Sequence, residues 1–181
     1  MDNGESSYRR YLDGDESALE AIVKEYFDSL VFFLCQYVGD PETAEDIAID
    51  VFTYVVVHPK RYNFKVSVKT YLFMLGKSRA LDCLRSRKRR GETDLSQAMQ
   101  LPSDQPVPEE LVLKDQRKQA VNEALAQLEP EQRLAVHLTY FEDLSCAEAA
   151  KVMGKNTKQV YNLLYRGKNA LRAILDKEEL V

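Results

Sequence analysis

The sequence predicts an all-α chain: two small helical domains joined by a flexible acidic linker, the C-terminal one built around a helix-turn-helix. Three observations predict this. Apolar residues recur at helical spacing through most of the chain, with no alternating run to suggest strands. A proline-bearing stretch without a single basic residue interrupts that pattern. Two clusters of basic residues lie on either side of it.

The first domain reads as successive helices. In DESALEAIVKEYFDSLVFFLCQYV, residues Leu19, Ile22, Val23, Tyr26, Phe27, Leu30, Leu34 and Val38 share one face, Asp15 is placed as N-cap, and Gly39 stops the helix. Asp40-Pro41 starts a second helix, with a capping carboxylate followed by Pro at the first helical position. It runs to about Val57 and ends at His58-Pro59. HPKRYNFKVS is a loop. Ser67 caps a further helix that turns Val68, Tyr71, Leu72, Leu75 and Leu84 inward. Its end, RSRKRR, holds five basic residues in six.

The charge is unevenly placed. The 181 residues carry 25 Lys+Arg and 29 Asp+Glu, net −4. Residues 1–90 balance at 14 basic and 14 acidic, residues 91–112 have five acidic groups and no basic one, and residues 113–181 have 11 basic and 10 acidic. The acidity therefore belongs to the middle, and local patches matter more than the total. GETDLSQAMQLPSDQPVPEE, with three prolines and one glycine, is a linker by composition. Its roughly 20 residues at about 3.4 Å each reach some ~70 Å when extended, about two turns of DNA. Beyond it, helices are expected at about 109–128, 130–141, 145–153 and 157–176, with Pro130, Ser145 and Thr157 at starts and Gly154 at a stop.

The last two helices, in SCAEAAKVMGKNTKQVYNLLYRGKNALRAIL, have the spacing of a helix-turn-helix. Ala150 allows a close crossing, Gly154 accepts a left-handed turn, and Val160 packs the second helix on the first. At 100° per residue, Val160, Leu163, Leu164, Gly167, Leu171 and Ile174 gather on one side, opposite Lys158, Tyr161, Asn162, Tyr165, Arg166, Asn169 and Arg172. Five basic residues and no acid lie between Lys155 and Arg172. A face of Lys, Arg, Asn and Tyr without carboxylates suits the major groove, where amides and guanidinium groups read base edges and ammonium groups meet phosphates. The bland alternative is a helical corner with a solvated basic face.

The other cluster comprises Lys77, Arg79, Arg85, Arg87, Lys88, Arg89 and Arg90, with Asp82 as its one acid. One or two cations at a helix C-terminus serve the helix dipole. Seven repel each other unless carboxylates or a polyanion neutralise them, and nucleic-acid phosphate is the partner expected. In the loop before this helix, Lys60, Arg61 and Lys65 alternate with Tyr62 and Phe64, a pattern in which cations follow a backbone while a ring receives an unstacked base. The competing reading places one or both rings in the core.

Three phrases carry a family resemblance. GDPETAEDIAIDVF, TYLFMLGKSRALDCLRSRKR and YFEDLSCAEAAKVMGKNTKQVYNLLYRGKNALR, in that order and with an acidic stretch between the last two, resemble a bacterial RNA polymerase sigma factor of the extracytoplasmic-function type. The resemblance implies a first domain at 1–90 that binds core RNA polymerase through Asp46, Ile47, Asp50, Val51 and Phe52. It implies that this domain holds the −10 strand with Lys60, Arg61, Tyr62, Phe64, Lys65, Lys77, Ser78, Arg79 and Arg85. Residues 91–112 become the linker. A second domain at 113–181 reads −35 DNA with Lys158, Gln159, Tyr161, Asn162, Tyr165 and Arg166. Promoter DNA, core polymerase and an anti-sigma factor are the implied partners. The chain departs from the family's usual pattern at Tyr71, Ile49, Ser78, Tyr161 and Leu163.

Other chemistry has little support in the sequence. No P-loop, nucleophile elbow or HExxH occurs, His137 sits in an apolar helix, and Cys and His never reach zinc-ligand spacing. No enzyme activity, cofactor or metal is expected. Cys35, Cys83 and Cys146 are expected as reduced thiols. The polar N-terminus is unlike a signal peptide, and no apolar run approaches the ~20 residues of a membrane span, so a cytoplasmic protein without membrane insertion is expected. The rival readings are a helix-turn-helix transcription regulator that is not a polymerase subunit, and a helical interaction protein that never touches DNA.

Overall fold

The computed structural model describes residues 4–91 and 123–178. The chain divides into two compact units, one holding the helices before Gly91 and the other the long C-terminal helix. All the regular structure among the described residues is helical. The residues read as the acidic linker, Gly91 apart, and most of the helix expected at 109–128 lie outside the described residues.

In the first unit α1 spans Glu5–Leu12, α2 Glu16–Val38, α3 Pro41–Val57 and α4 Val68–Arg90. Their boundaries follow from local chemistry. The Asp40 carboxylate accepts the Thr43 backbone N–H at 2.9 Å, and Pro41 follows it at the first helical position. Ser67 Oγ accepts the Thr70 N–H at 3.2 Å. Gly39 and Gly91 close α2 and α4 in left-handed conformations, φ 69° and 74°, that a side chain would strain. Asp15 stands at the N-cap of α2, but its carboxylate is engaged by Ser17 and Arg10 rather than by a helix N–H.

Helices α2, α3 and α4 pack on one another, and α1 lies against α2. Ile22, Leu30, Phe33 and Leu34 of α2, Val51 and Val55 of α3, and Val68, Leu72 and Phe73 of α4 form the core. Tyr71 and Leu75, expected inward, are only partly covered. The closest approach falls at Gly76, where an added Cβ would stand 3.0 Å from Leu30 Cδ1 and 3.2 Å from Leu34 Cδ2. Helix α1 was not foreseen from the sequence. It exists because Tyr8 is buried, its hydroxyl donating to the Pro59 carbonyl at 2.8 Å and tying α1 to a short 3-10 turn, Pro59–Arg61. That turn lies within the segment read as loop.

In the second unit the described residues open with a helical turn at 123–126. The Arg133 guanidinium gathers the Ala126 and Leu128 carbonyls at its end. Helix α5, Pro130–Val136, widens into a π-helical turn, His137–Phe141, closed by the Glu142 N–H on the His137 carbonyl at 3.1 Å. His137 is buried, with Nε2 3.3 Å from the equally buried Glu142 carboxylate. Helix α6 spans Cys146–Met153 and α7 Thr157–Glu178. Ser145 and Glu148 form a reciprocal capping box at the start of α6.

Gly76→Val should overpack the α2–α4 crossing, because Leu30 and Leu34 are fully enclosed and cannot retreat. A loss of about 1–3 kcal/mol is expected, read as a lower chemical-denaturation midpoint with an unchanged slope. An unchanged midpoint would contradict the close crossing.

Candidate functional site

The turn between α6 and α7 is built as its spacing predicts. Gly154 is left-handed, φ 68°, and the Lys155 N–H reaches back to the Ala150 carbonyl at 2.9 Å. Asn156 and Gln159 cap each other: the Asn156 N–H donates to Gln159 Oε1 at 2.8 Å and the Gln159 N–H to Asn156 Oδ1 at 2.9 Å. Gln159, a predicted DNA contact, therefore spends its amide oxygen starting the helix. Val160 and Leu164 are buried, and Gly167 packs so closely on α5 that a Cβ would meet Val136 Cγ2 at 3.2 Å. This inner face turns Lys158, Tyr161, Asn162, Tyr165, Arg166, Asn169 and Arg172 outward, all exposed. Tyr161 and Tyr165 stand 59% and 70% exposed. Lys155 pairs with Glu131 at 2.7 Å, and Lys168 lies over the Tyr140 ring, 4.9 Å from its centroid.

In the first unit the basic cluster divides by role. Arg87 reaches from α4 to the start of α3, where it donates to Thr43 Oγ1 and stands 3.9 Å from the Asp40 carboxylate. The Thr43 hydroxyl and N–H, with Arg87 contributing, hold the Asp40 carboxyl below its usual pKa. Arg85 pairs with Asp82 at 2.9 Å in an exposed contact. Arg79 lies over the Tyr54 ring at 5.2 Å and is partly covered, as is Lys77. Ser78, Lys88, Arg89 and Arg90 are exposed.

The loop before α4 separates its rings from its cations. Tyr62 is 3% exposed. Its ring packs against Tyr8, Phe64 and Tyr71 with centroids 4.9, 4.6 and 5.1 Å away, and its hydroxyl donates to the Val66 carbonyl at 2.5 Å. Burial, with the Glu5 charge adding, pushes its phenol up to about 12. Tyr62 is thus a core ring and offers no face to a base. Phe64 is half-covered and held at φ 59°, a conformation that costs an ordinary residue energy, and the Arg9 guanidinium sits 4.2 Å over its ring. Lys60, Arg61 and Lys65 are exposed around it. Arg9 and Tyr8 were missed in the sequence because α1 was; the spacing of Tyr8, Tyr11 and Leu12 was the available signal.

Of the five α3 residues expected to meet polymerase, the structure turns only Asp46 and Asp50 to solvent. Ile47, Val51 and Phe52 are buried, the Phe52 ring 6.0 Å from that of Phe27. The exposed apolar groups on this helix are Ile49, Val56 and Val57.

Two family profiles match this chain: sigma-70 region 2 over residues 22–90 and sigma-70 region 4 over residues 118–171, together more than half of it. The chain belongs to the sigma-70 family of transcription initiation factors. Within that family it is an extracytoplasmic-function sigma factor, directing core RNA polymerase to promoters. It is 26% identical over 163 residues to the ECF RNA polymerase sigma factor BldN of Streptomyces coelicolor, matching 90% of this chain and 62% of that protein. It is 24% identical over 167 residues to SigW of Bacillus subtilis, matching 88% and 89%. The fold is similar to RpoE of Bartonella quintana, solved with the anti-sigma factor NepR: TM-score 0.67, 18% identity, covering 87% of this chain and 96% of that one. CnrH, solved with the cytosolic domain of CnrY, gives TM-score 0.63 at 20% identity over 97% and 99%.

The division of the basic cluster predicts opposite outcomes for neighbouring arginines. Arg87→Ala should lower the thermal midpoint, since it removes a bond joining α4 to the α3 cap. Arg89→Ala, which removes an exposed side chain, should leave that midpoint in place. A midpoint lowered equally by the two substitutions would contradict the division. The Asp40 cap adds a pH signature. Its depressed folded-state pKa contributes stability that is present above the unfolded carboxyl pKa and is lost as pH falls through the folded value. The destabilisation by Asp40→Ala, about 1 kcal/mol at neutral pH, should therefore shrink on acidification below about pH 4, read by denaturant titration at several pH values.

Proposed function

We propose that the two units divide promoter recognition as the sequence suggests: 1–90 for core polymerase and the −10 strand, 91–112 as tether, and 113–181 for −35 DNA. The observation that carries this reading is the outward face of α7, which presents Lys158, Asn162 and Arg166 with no carboxylate between Lys155 and Arg172. An amide and a guanidinium about one turn apart along a helix fixed from behind by Val160, Leu164 and Gly167 can pair bidentately with adenine and guanine edges.

In the first unit, exposed Lys60, Arg61, Lys65, Lys88 and Arg89 supply a cationic track, and exposed Ser78 adds a hydroxyl donor. Lys77, Arg79 and Arg85 border it. Phe64 is the ring left at the surface to meet an unstacked base, and holding that base outside the stack offsets part of its unpairing cost. Tyr62 supports Phe64 from inside rather than touching DNA. Polymerase meets the other face of the unit, where Asp46 and Asp50 lie one helical turn apart beside Ile49. Ile47, Val51 and Phe52 hold this surface rigid from the core. Such a mixed acidic and apolar strip fits a basic partner helix.

The chain acts with core polymerase and promoter DNA in the cytoplasm, and the polymerase supplies the nucleotide chemistry. An anti-sigma factor is a partner by analogy with the complexes solved for RpoE and CnrH.

The test is a core-binding assay joined to transcription in vitro. The double substitution Asp46→Lys, Asp50→Lys should weaken core binding at least tenfold while leaving the circular dichroism spectrum unchanged. Asn162→Ala with Arg166→Ala should spare core binding and abolish protection at −35. Full core affinity in the first variant contradicts the polymerase face. An unaltered −35 footprint in the second contradicts the orientation of α7.

A further inference from the structure

The exposed face of α7 carries two aromatic rings where cations and amides alone would suffice for phosphate binding. Lys158, Tyr161, Asn162 and Tyr165 stand at i, i+3, i+4 and i+7, so they form one contiguous strip along the first two turns. Tyr161 and Tyr165 are 59% and 70% exposed. Gln159 is committed through its amide oxygen to Asn156. In this strip Asn162 is therefore the side chain equipped for a bidentate contact with a base, and its match is adenine. The ring next to it cannot make a bidentate pair. What it offers a base edge is apolar surface, and the apolar feature of the major groove is the 5-methyl group of thymine. A protein partner is the poorer fit, because the same face carries Lys158, Arg166 and Arg172 and no carboxylate.

Resting on the −35 reading above, we propose that Tyr161 is a specificity residue of that contact, seating its ring on the 5-methyl group of a thymine in the A·T-containing segment that Asn162 reads. Tyr161 takes this role rather than Tyr165 because base edges are met by the N-terminal residues of a recognition helix.

The experiment uses holoenzyme assembled from the full chain and core polymerase. A promoter library with a fixed −10 element and a randomised −35 segment is selected for binding. The enriched −35 site is then synthesised with each thymine replaced in turn by uracil, which removes only the methyl group. One uracil substitution should weaken binding about fourfold, the value of burying a single methyl. Tyr161→Ala holoenzyme should bind the thymine and uracil sites equally, and Tyr161→Phe should retain the fourfold difference, since the hydroxyl is not used. An unchanged circular dichroism spectrum and thermal midpoint in both variants show that the second unit is folded. Enrichment of a −35 site that is indifferent to uracil, or a penalty that survives in Tyr161→Ala, overturns the assignment. A selection that enriches no −35 sequence overturns the placement of α7 on DNA itself, and this inference with it.

Discussion

The structure depends on one constraint: α7 must be buried along one side and bare along the other. Val160 is fully enclosed, Leu164 nearly so, and Gly167 brings α5 within contact of the α7 backbone. Because a helix side chain's direction is set by its backbone, fixing these three fixes Lys158, Asn162 and Arg166 as well. Without that anchor the same polar groups would be scattered along a mobile helix. With it they form a rigid polar strip on the first three turns of a helix capped by the Asn156–Gln159 pair. Selectivity among base pairs requires such rigidity, since bidentate contacts lose their value when the donor fork can swing.

The first unit solves a different problem with the same means. On a small core it carries Asp46, Ile49 and Asp50 exposed on α3 and a set of exposed cations on and before α4. Arg87 joins the two elements by reaching from the end of α4 to the cap of α3. One residue of a basic cluster thus serves architecture while its neighbours face solvent. The aromatic box of Tyr8, Tyr62, Phe64 and Tyr71 serves a similar end, holding the loop before α4 in a conformation that leaves Phe64 strained and partly exposed. Strain of this kind persists only where surrounding contacts over-determine it. Here α1 supplies those contacts through Tyr8 and Arg9.

Much of this was legible in the residues themselves. Asp40-Pro41, Ser67, Gly39 and Gly154 mark helix ends by chemistry that depends little on tertiary context: α2 and α6 stop, and α3 and α4 start, where they indicate. The two faces of α7 were legible because polar and apolar residues separate cleanly at 100° per residue. Helix α1 was not, because it is short, polar and secured by one buried ring. The solvent-facing strip of α3 was only half legible. Helix α3 has apolar residues nearly all round, so periodicity could not tell buried Val51 and Phe52 from exposed Ile49 and Val57. Nor can composition separate Arg87 from Arg89, since the difference lies in which of them a second helix approaches. Tyr62 and Phe64 were ambiguous for the same reason: two residues apart in a loop, one went to the core and one to the surface.

The central claim is that one chain addresses two places on a duplex only when polymerase holds its two units. Hydroxyl-radical footprinting of a cognate promoter tests this most directly, with the chain alone, core alone and both together. The account predicts protection at −35 and −10 on the same molecules only in the combined sample. Full protection of both elements by the chain alone, or protection by the combination confined to a single element, would contradict it.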